Sequence, residues 1–287
     1  MKTYSSPQKE ERYQEVCCNL CGSRDRKEFL SSDSYSFVKC ASCGLVYQNP
    51  QPVFDDLRTR YGELYFQYEL ENDQNFFNLM KLGLRDVGFF EIPLDSFDNN
   101  RFLDIGCATG VLVHHMKSLG WRAQGVEICR ASADYGIEHR GVDIVTGTLE
   151  EAAFPDGAFS VIHFSHLIEH VPAPKEFLLE IKRILSERGM VILTTPNVAG
   201  FQARLFRHRW RSAIADHLTL FSKATLHRML VSVGFEVLKV VTWGGLAKGR
   251  APYWIKRPLD VLAKLFGFGD VVLFHIKKRI PRSSGSF

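Results

Sequence analysis

Apolar residues occur in short runs from residue 101 onward, and these runs alternate with segments whose apolar positions recur at helical spacing. A short apolar run is typical of a buried strand, and helical spacing is typical of an amphipathic helix. The alternation predicts an α/β fold with a parallel sheet. We expect strands at 101–105, 122–127, 142–146, 159–164 and 189–195, and two more near 236–242 and 271–277.

The chain before residue 101 follows a different pattern. Residues 1–16 are polar and predict a mobile tail, and Asn49-Pro50-Gln51-Pro52 is a natural break after the cysteine-rich residues 17–50. Apolar and aromatic residues at helical spacing predict two helices within 54–92. Residues 51–100 are therefore expected to be a helical linker that covers part of the α/β domain, and that domain is expected to span 101–287.

Two cysteine pairs lie in the region 17–50. The pairs are Cys18-x2-Cys21 and Cys40-x2-Cys43, and 18 residues lie between them. This spacing is typical of a structural zinc site with four thiolates. Gly22 and Gly44 follow the pairs, and glycine tolerates the sharp turn in which backbone amides point at sulfur. Disulfides are the alternative, but they need an oxidising compartment. Cys17 would widen its gap to three residues, so we leave it out of the expected zinc ribbon.

The turn after the first strand of the α/β domain consists of small residues. It runs Asp104-Ile105-Gly106-Cys107-Ala108-Thr109-Gly110, and Glu127 stands at the end of the next predicted strand. Small residues let the backbone approach a ligand closely, and an α/β nucleotide fold holds a ribose with an acid at this second position. The dinucleotide fingerprint needs a further glycine where Val111 stands, so the pattern indicates a different nucleotide ligand.

These residues resemble motif I of the class I S-adenosylmethionine-dependent methyltransferases, with Ala108 in place of the middle glycine. The resemblance covers roughly two thirds of the chain. It continues through 154–159, 166–171, 184–189 and 193–197. It implies a Rossmann-like sheet of seven strands, mostly parallel, with the last strand antiparallel. It also implies S-adenosylmethionine as the cofactor, bound at the carboxyl ends of the strands.

The same resemblance implies roles for individual residues. Asp104 is expected near the α-ammonium of the cofactor, and Glu127 is expected to bind both ribose hydroxyls. An acid usually contacts adenine after the third strand, but Thr148-Leu149 stands there, so backbone and the leucine are expected to hold the base. Tyr61 and Tyr65 resemble a pair that covers the cofactor, with simple packing as the alternative. The expected cofactor-binding residues are Asp104, Gly106, Cys107, Ala108, Gly110, Glu127, Ile128, Thr148, Leu149, Phe164, Tyr61 and Tyr65.

The candidate catalytic residues are His166, Glu169 and His170 after the fourth strand, and His217 after a long aromatic-basic segment. We interpret that segment, residues 197–220, as a substrate lid. The pattern at 166–170 resembles the Glu-x-x-Glu-His metal motif of ubiquinone-pathway and small-RNA 2′-O-methyltransferases, with histidine as the first residue. The resemblance implies a second divalent metal at Glu169 and His170, and imidazole ligands favour a transition metal. The alternatives for His170 are a general base, a substrate-positioning residue or a residue that closes a helix.

The size and charge of the chain limit the class of partner and the location that we expect. The chain has 287 residues, 45% of them apolar, and a formal net charge of +4. Residues 245–287 contain nine Lys/Arg against two Asp, a charge of +7, which leaves 4 − 7 = −3 for the rest. Together with a basic cluster at 204–211, this favours an anionic partner: an anionic small-molecule acceptor, nucleic acid or a membrane surface. The sequence lacks a signal peptide and a bilayer-spanning apolar run, so we expect a cytoplasmic protein.

The sequence therefore predicts a methyltransferase that uses S-adenosylmethionine to methylate a hydroxyl of a sugar, a lipid-linked saccharide or a similar metabolite. Histidine is able to deprotonate a hydroxyl. The Asn/Asp-Pro-Pro-aromatic tetrad typical of amine methylation is absent, since Phe164-Ser165-His166-Leu167 stands in its place. One alternative is an RNA methyltransferase that uses the ribbon and the basic C-terminal segment. A further alternative is a cofactor-binding scaffold without catalysis.

Overall fold

The computed structural model describes residues 11–244 and 267–279. The amino-terminal part forms two small antiparallel sheets around the cysteine pairs. Its strands are β1 (Tyr13–Gln14), β2 (Arg26–Ser32), β3 (Tyr35–Cys40), β4 (Val46–Gln48) and β5 (Gln51–Pro52). Strands β2, β3 and β4 pair in that order, and β1 pairs with β5.

The end of the expected mobile tail is ordered in the structure, which corrects that part of the prediction. Tyr13 and Gln14 pair with Pro52 and Gln51, so the expected break at 49–52 forms a strand. The Arg12 side chain also binds the Asp56 carboxylate, with Nε 3.0 Å from Oδ2. The tail is held because an extended segment at this edge finds both backbone and charged partners. Residues 1–10 lie outside the described residues.

Two helices follow in the region 54–92, where two helices were predicted. They are α1 (Phe54–Arg58) and α2 (Glu63–Asp86). The two helices are separated at 59–62. Helix α2 then continues for 24 residues, because no glycine or proline interrupts it before Gly83. Gly83 lets the helix approach the sheet closely, since a Cβ there would lie 3.0 Å from Leu273.

The α/β domain consists of alternating strands and helices. Its elements are β6 (Arg101–Ile105), α3 (Val111–Ser118), β7 (Arg122–Glu127), α4 (Arg130–Arg140), β8 (Asp143–Thr146), β9 (Phe159–Ser165), α5 (Pro174–Ile184), β10 (Leu185–Pro196), α6 (Phe201–Phe206), β11 (Thr219–Leu220), α7 (Lys223–Ser232), β12 (Phe235–Trp243) and β13 (Val271–Lys278). Seven of the strands form one sheet in the order β12-β13-β10-β9-β6-β7-β8.

This sheet confirms the predicted fold class. Strands β8, β7, β6, β9 and β10 are parallel, and β13 is antiparallel to both β10 and β12. Nearly every residue of β6 and β9 is buried, as expected for strands covered by helices on both faces. The carboxyl ends of β6, β7, β8 and β9 therefore meet at one edge, where the connecting loops form the candidate site.

The segment 197–220, which we interpret as a substrate lid, packs against the cysteine-rich unit. Its strand β11 pairs antiparallel with β4 and extends the small sheet. Trp210 and Leu220 are buried in one apolar cluster with Phe37 and Val46 of the cysteine-rich unit. The segment is docked because these large apolar side chains lose their exposed surface against that unit.

The expected basic C-terminal segment lies largely outside the described residues, which omit 245–266 and 280–287. In its described part, Lys277 lies 3.6 Å from Glu236, and Lys278 lies 3.0 Å from Glu187. Within 11–244 and 267–279, no helix is both long enough and apolar enough to cross a bilayer.

Candidate functional site

The loop between β6 and α3 forms the floor of the site. Gly106, Ala108 and Gly110 all have positive φ, at 69°, 48° and 72°. Ala108 thus adopts the left-handed backbone of the glycine that it replaces, which is uncommon for a residue with a Cβ. Gly110 has no room for a side chain, since a Cβ there would lie 2.8 Å from Val142.

Glu127 stands at the end of β7 beside this loop. Its Oε2 accepts a hydrogen bond from the Ala108 N–H at 2.8 Å, and its Oε1 accepts one from the Cys129 N–H at 2.8 Å. Burial raises the pKa of Glu127, and these backbone N–H groups partly offset that effect. The carboxylate is therefore held in one orientation at the strand end, as a binding acid must be.

A cavity of about 410 Å³ opens above the loop. Most of the residues expected to bind the cofactor line it, namely Gly106, Cys107, Ala108, Glu127, Ile128, Thr148, Leu149, Tyr61 and Tyr65. Asp104, Gly110 and Phe164 do not belong to its wall. Phe164 is instead fully buried and packs edge-on against Phe177 in the core.

Asp104 does not line the cavity, and its expected position near the α-ammonium of the cofactor stays a prediction. Its Oδ1 lies 2.7 Å from Nδ1 of His163, and both side chains are 2% exposed. The two residues stand side by side in neighbouring strands, where Asp104 pairs with His163 in the β6–β9 register. The carboxylate is used inside the sheet. A lone histidine within the apolar run of β9 was the available signal for this pair.

Helix α2 supplies one wall of the cavity, and Tyr65 is the residue of that wall that was predicted from the sequence. Besides Tyr65, the helix contributes Glu69, Asp73, Phe76 and Met80 to the lining. Residues at such spacings share one face of a helix, so the repeat of aromatic and acidic residues from Tyr61 onward was the signal. Tyr61 and Tyr65 pack edge to face, with ring centroids 5.1 Å apart.

Asp73 fastens this helix to the floor of the site. Its Oδ2 accepts a hydrogen bond from Arg140 Nη2 at 2.8 Å, and its Oδ1 accepts one from the Thr109 hydroxyl. Arg140 Nη1 also donates to the Thr109 carbonyl at 2.7 Å. The three residues tie α2, α4 and the glycine loop together at the edge of the cavity.

Glu169 lies between the cavity-lining residues His166 and His170, in a short 3₁₀ helix after β9 (Ile168–His170), but does not itself line the cavity. The side chain is fully buried. Its Oε2 accepts a hydrogen bond from the Thr195 hydroxyl at 2.9 Å. Its Oε1 lies 3.3 Å from His166 Nδ1, outside hydrogen-bond geometry. Burial alone would raise the pKa of Glu169, but the nearby imidazoles of His166, His217 and His170 lower it to about 2.

The structure brings His170 and His217 together, with ring centroids 4.6 Å apart. Each Nδ1 faces a backbone carbonyl, that of Asp216 at 2.9 Å for His170 and that of Ser212 at 2.8 Å for His217. A carbonyl only accepts hydrogen bonds, so each Nδ1 carries a proton and Nε2 is the ring atom left for another partner. Burial, followed by the charge of His170, lowers the pKa of His217 to about 4.

These side chains have the chemistry of a metal site. Ligand atoms of Glu169, His170 and His217 all lie within 4.8 Å of one another. Two imidazoles and one carboxylate suit a transition-metal ion, and carbonyl contacts to Nδ1 are the usual support of histidine ligands. His166, which is 41% exposed at its side chain, lies outside this group and on the cavity wall.

A second set of residues, which sequence reasoning also missed, holds the backbone beside His170. Arg60 Nη1 donates to Asp216 Oδ1 at 2.6 Å and to the Ala215 carbonyl at 3.1 Å. Arg60 Nε donates to Glu11 Oε1 at 2.8 Å. Residues from three separate parts of the chain thus hold the backbone next to the Asp216 carbonyl that His170 contacts.

The four cysteines of the two pairs also converge. Sγ of Cys18 lies 3.4 Å from that of Cys43, and Sγ of Cys21 lies 3.5 Å from that of Cys40. All four sulfurs lie within 4.8 Å of one another, and Cys17 is exposed outside the group. Burial opposes thiolate formation at Cys40, but backbone N–H groups and neighbouring cysteines lower its pKa to about 7. The set could hold a tetrahedral zinc ion.

Comparisons with known proteins agree with this architecture. A family model described as a methyltransferase domain matches residues 84–240, more than half of the chain. Two similar curated proteins are ubiquinone biosynthesis O-methyltransferases. The one from Maricaulis maris is 31% identical over 131 residues, 42% of this chain and 52% of the relative. The one from Idiomarina loihiensis is 28% identical over 131 residues, which are 44% of this chain and 54% of the relative. These alignments span about half the length of those relatives.

Solved structures share the fold. A methyltransferase from Thermotoga maritima, described as a possible histamine N-methyltransferase, has a TM-score of 0.54 and 22% identity over 75% of this chain and 98% of its own. A methyltransferase from Archaeoglobus fulgidus has a TM-score of 0.53 and 20% identity over 75% of this chain and 100% of its own. Both are described as methyltransferases that depend on S-adenosylmethionine.

Proposed function

The chain belongs to the methyltransferase-domain family, and on this premise we propose that it transfers the methyl group of S-adenosylmethionine to a hydroxyl of a small-molecule acceptor. One observation carries the proposal. A single cavity has the glycine loop and Glu127 at one end and His166 and His170 at the other. Such a cavity supports both a nucleoside cofactor and a hydroxyl whose proton must be removed.

The residues around the loop fit the cofactor. Glu127 accepts backbone hydrogen bonds on both oxygens and still lines the cavity, so its remaining lone pairs are available to ribose hydroxyls. Thr148 and Leu149 are the proposed adenine contacts, and Tyr61, just before α2, and Tyr65, in α2, are proposed to cover the site. When bound, S-adenosylmethionine supplies an electrophilic methyl group, and the chain has to align the acceptor with it.

His170 is the proposed residue for the acceptor's proton. It lines the cavity, and its Nδ1 is committed to the Asp216 carbonyl, so Nε2 is the atom able to accept a proton. His166 lines the same end of the cavity and is the proposed neighbouring contact of the acceptor. Glu169 and His217 are proposed to act through these imidazoles, because neither lines the cavity.

A metal ion is the second candidate role for this end of the site. Glu169, His170 and His217 would hold it, and the convergence of their ligand atoms favours this role. A bound divalent ion lowers the pKa of a coordinated hydroxyl. The cysteine cluster is proposed to hold a separate, structural zinc ion, since four cysteines leave no open position for an acceptor.

The cavity wall narrows the class of acceptor. Its side chains are mostly apolar near α1 and α2, and its charged residues are acids. The apolar group includes Leu57, Phe76, Leu79 and Met80, and the acids are Glu69, Asp73, Glu127 and Glu150. No lysine or arginine lines it within the part of the chain that the structure describes. We therefore place any anionic group of the acceptor outside the cavity and favour an acceptor with an apolar portion, such as a lipid-linked saccharide or a similar hydroxylated metabolite.

The test is a transfer assay with radiolabelled S-adenosylmethionine. Nucleotide sugars, lipid-linked saccharides, quinone precursors and total RNA are offered separately to the wild-type protein and to His170→Ala. We expect label in a hydroxylated, partly apolar acceptor with the wild-type protein and a large loss with the variant. Label confined to RNA would overturn the acceptor class. Absence of cofactor binding in calorimetry would refute the activity itself.

A further inference from the structure

Glu69 is a partly buried acid that lines the cofactor cavity, and it has no cationic partner among the residues that the structure describes. It lies on the cavity face of α2, one turn after Tyr65 and one turn before Asp73. Asp73 is neutralised by Arg140, with Nη2 2.8 Å from Oδ2. Glu69, by contrast, forms no ion pair with any residue in 11–244 or 267–279, and its one side-chain hydrogen bond is with Tyr65.

The opposite wall presents a second acid to Glu69. Glu127 lines the same cavity, and its two oxygens are fixed by the N–H groups of Ala108 and Cys129. Burial, followed by the negative charge of Glu127, raises the pKa of Glu69 to about 8, with a smaller contribution from Asp73. At neutral pH the Glu69 carboxyl therefore keeps its proton, and it is able to donate one hydrogen bond and to accept others.

A protonated carboxyl that lines the same cavity as the Glu127 carboxyl group is a specific recognition element. Each hydroxyl of a vicinal diol both donates and accepts, so a diol needs acceptors and at least one donor around it. Glu127 supplies only acceptors, whereas Glu69 supplies both. Lysine and arginine are absent from this lining among the described residues, which disfavours a phosphate or carboxylate at this place.

We propose that Glu69 is a second ribose-binding residue, which contacts the vicinal hydroxyls of the cofactor together with Glu127. The inference rests on the proposed use of S-adenosylmethionine and assigns to α2 a direct part in cofactor recognition. The helix then closes the cofactor site through a hydrogen bond as well as through the packing of Tyr61 and Tyr65.

Calorimetry with S-adenosylmethionine and S-adenosylhomocysteine tests the assignment at pH 7. Glu69→Ala should weaken both ligands by the same factor, about three- to tenfold, as expected for one lost hydrogen bond. Glu69→Gln keeps a donor and an acceptor and should remain within about threefold of wild type. Glu71→Gln, an exposed acid on the same helix, is the matched control and should change neither affinity.

Deoxyribose analogues distinguish a contact between Glu69 and the ribose from a contact between Glu69 and another part of the cofactor. The 2′-deoxy and 3′-deoxy forms of S-adenosylhomocysteine are measured on wild type and on Glu69→Ala. If Glu69 binds a hydroxyl, the losses from the variant and from one of these analogues should fail to add. Additive losses with both analogues would overturn the assignment. So would a loss restricted to S-adenosylmethionine, because it would place Glu69 at the sulfonium charge.

Failure of the inference is distinct from failure of the proposed function. A wild-type protein that binds neither ligand would refute the use of this cofactor. Binding by wild type that is lost in Glu127→Ala and unchanged in both Glu69 variants would keep the cofactor and overturn only the role of Glu69. Thermal melts of each variant show whether the fold is retained.

Discussion

The molecule contains two clusters of candidate metal ligands, and they differ in how they are built. The cysteine cluster consists of Cys18, Cys21, Cys40 and Cys43, which two turns of one small unit bring together. The acid–histidine cluster consists of Glu169, His170 and His217, which come from a turn after β9 and from the docked segment 197–220. The first cluster is local, whereas the second exists only because distant segments pack together.

The acid–histidine cluster depends on the cysteine-rich unit, whereas the cysteine cluster does not depend on the acid–histidine residues. The cysteine-rich unit holds the segment that carries His217, since β11 pairs with β4 and the Gln48 N–H donates to the Leu218 carbonyl at 2.8 Å. The Leu218 N–H in turn donates to the Glu169 carbonyl at 2.7 Å. Loss of the cysteine cluster should therefore disturb the acid–histidine cluster, whereas loss of His217 should leave the cysteines in place.

The largest expected effect is that of removing the cysteine cluster. Cys18→Ser with Cys40→Ser should eliminate bound zinc, expected at about one ion per chain in the wild-type protein, and should unfold residues 17–50. Because β11 then loses its partner, transfer activity should fall with the zinc. Metal content and activity are measured together. Cys17→Ser, outside the cluster, should keep both, and zinc retained in the double variant would contradict the assignment.

The next effect concerns the acid–histidine cluster alone. His170→Ala should lower turnover by ~10²–10⁴ while cofactor affinity stays nearly constant, as expected for loss of a general base. If a metal ion acts there, a chelator should abolish wild-type activity and manganese or iron should restore it. His208→Ala, an exposed histidine of the same docked segment, is the control. Normal turnover by the variant in the presence of chelator would remove both roles from His170.

A smaller effect is expected at the cofactor end of the cavity. Glu127→Ala removes a carboxylate that is fixed for hydroxyl binding, and it should weaken cofactor binding by roughly 1.5–3 kcal/mol for each charged hydrogen bond lost. Calorimetry measures the change. Glu138→Ala, at an exposed position of α4, should have no effect. Equal affinities for wild type and Glu127→Ala would show that another residue holds the ribose.

The smallest effect is a pH dependence of stability at Glu69. Its pKa is raised from 4.5 to about 8 by burial, by Glu127 and by Asp73, and is partly lowered by Tyr65. The folded protein thus binds a proton that the unfolded chain has released, so Glu69 destabilises the fold progressively as pH rises from about 4.5 to 8. Glu69→Gln should melt with wild type near pH 4.5 and roughly 2–4 °C above it at pH 8. A pH-independent difference, or the same trend in Glu71→Gln, would contradict this origin.

Much of the fold could be predicted because its signals are local. The apolar runs of β6 and β9 and the helical spacing between strands depend only on neighbouring residues, and they predict the parallel sheet that the structure shows. The start of β10 at Leu185 was missed, because the strand is irregular between Leu185 and Met190.

The site was predictable only in part, since several contacts join residues that are far apart in the chain. The register of β6 against β9 aims Asp104 at His163 rather than at the cavity. The docking of 197–220 on the cysteine-rich unit brings His217 to His170. Neither result follows from spacing, because side-chain partners across strands and segments depend on how whole elements pack.

The sequence by itself determined the α/β class, the cysteine pairing pattern, the glycine loop and the acid at the end of β7. These features depend on backbone conformation and short-range spacing, which neighbouring residues set. Only the tertiary structure decided which acids face the cavity. It buried Asp104 in the sheet and turned Glu69 of α2 toward Glu127. The physical reason is that burial and charge pairing belong to the packed surfaces of several elements, whereas helical or strand spacing belongs to one element alone.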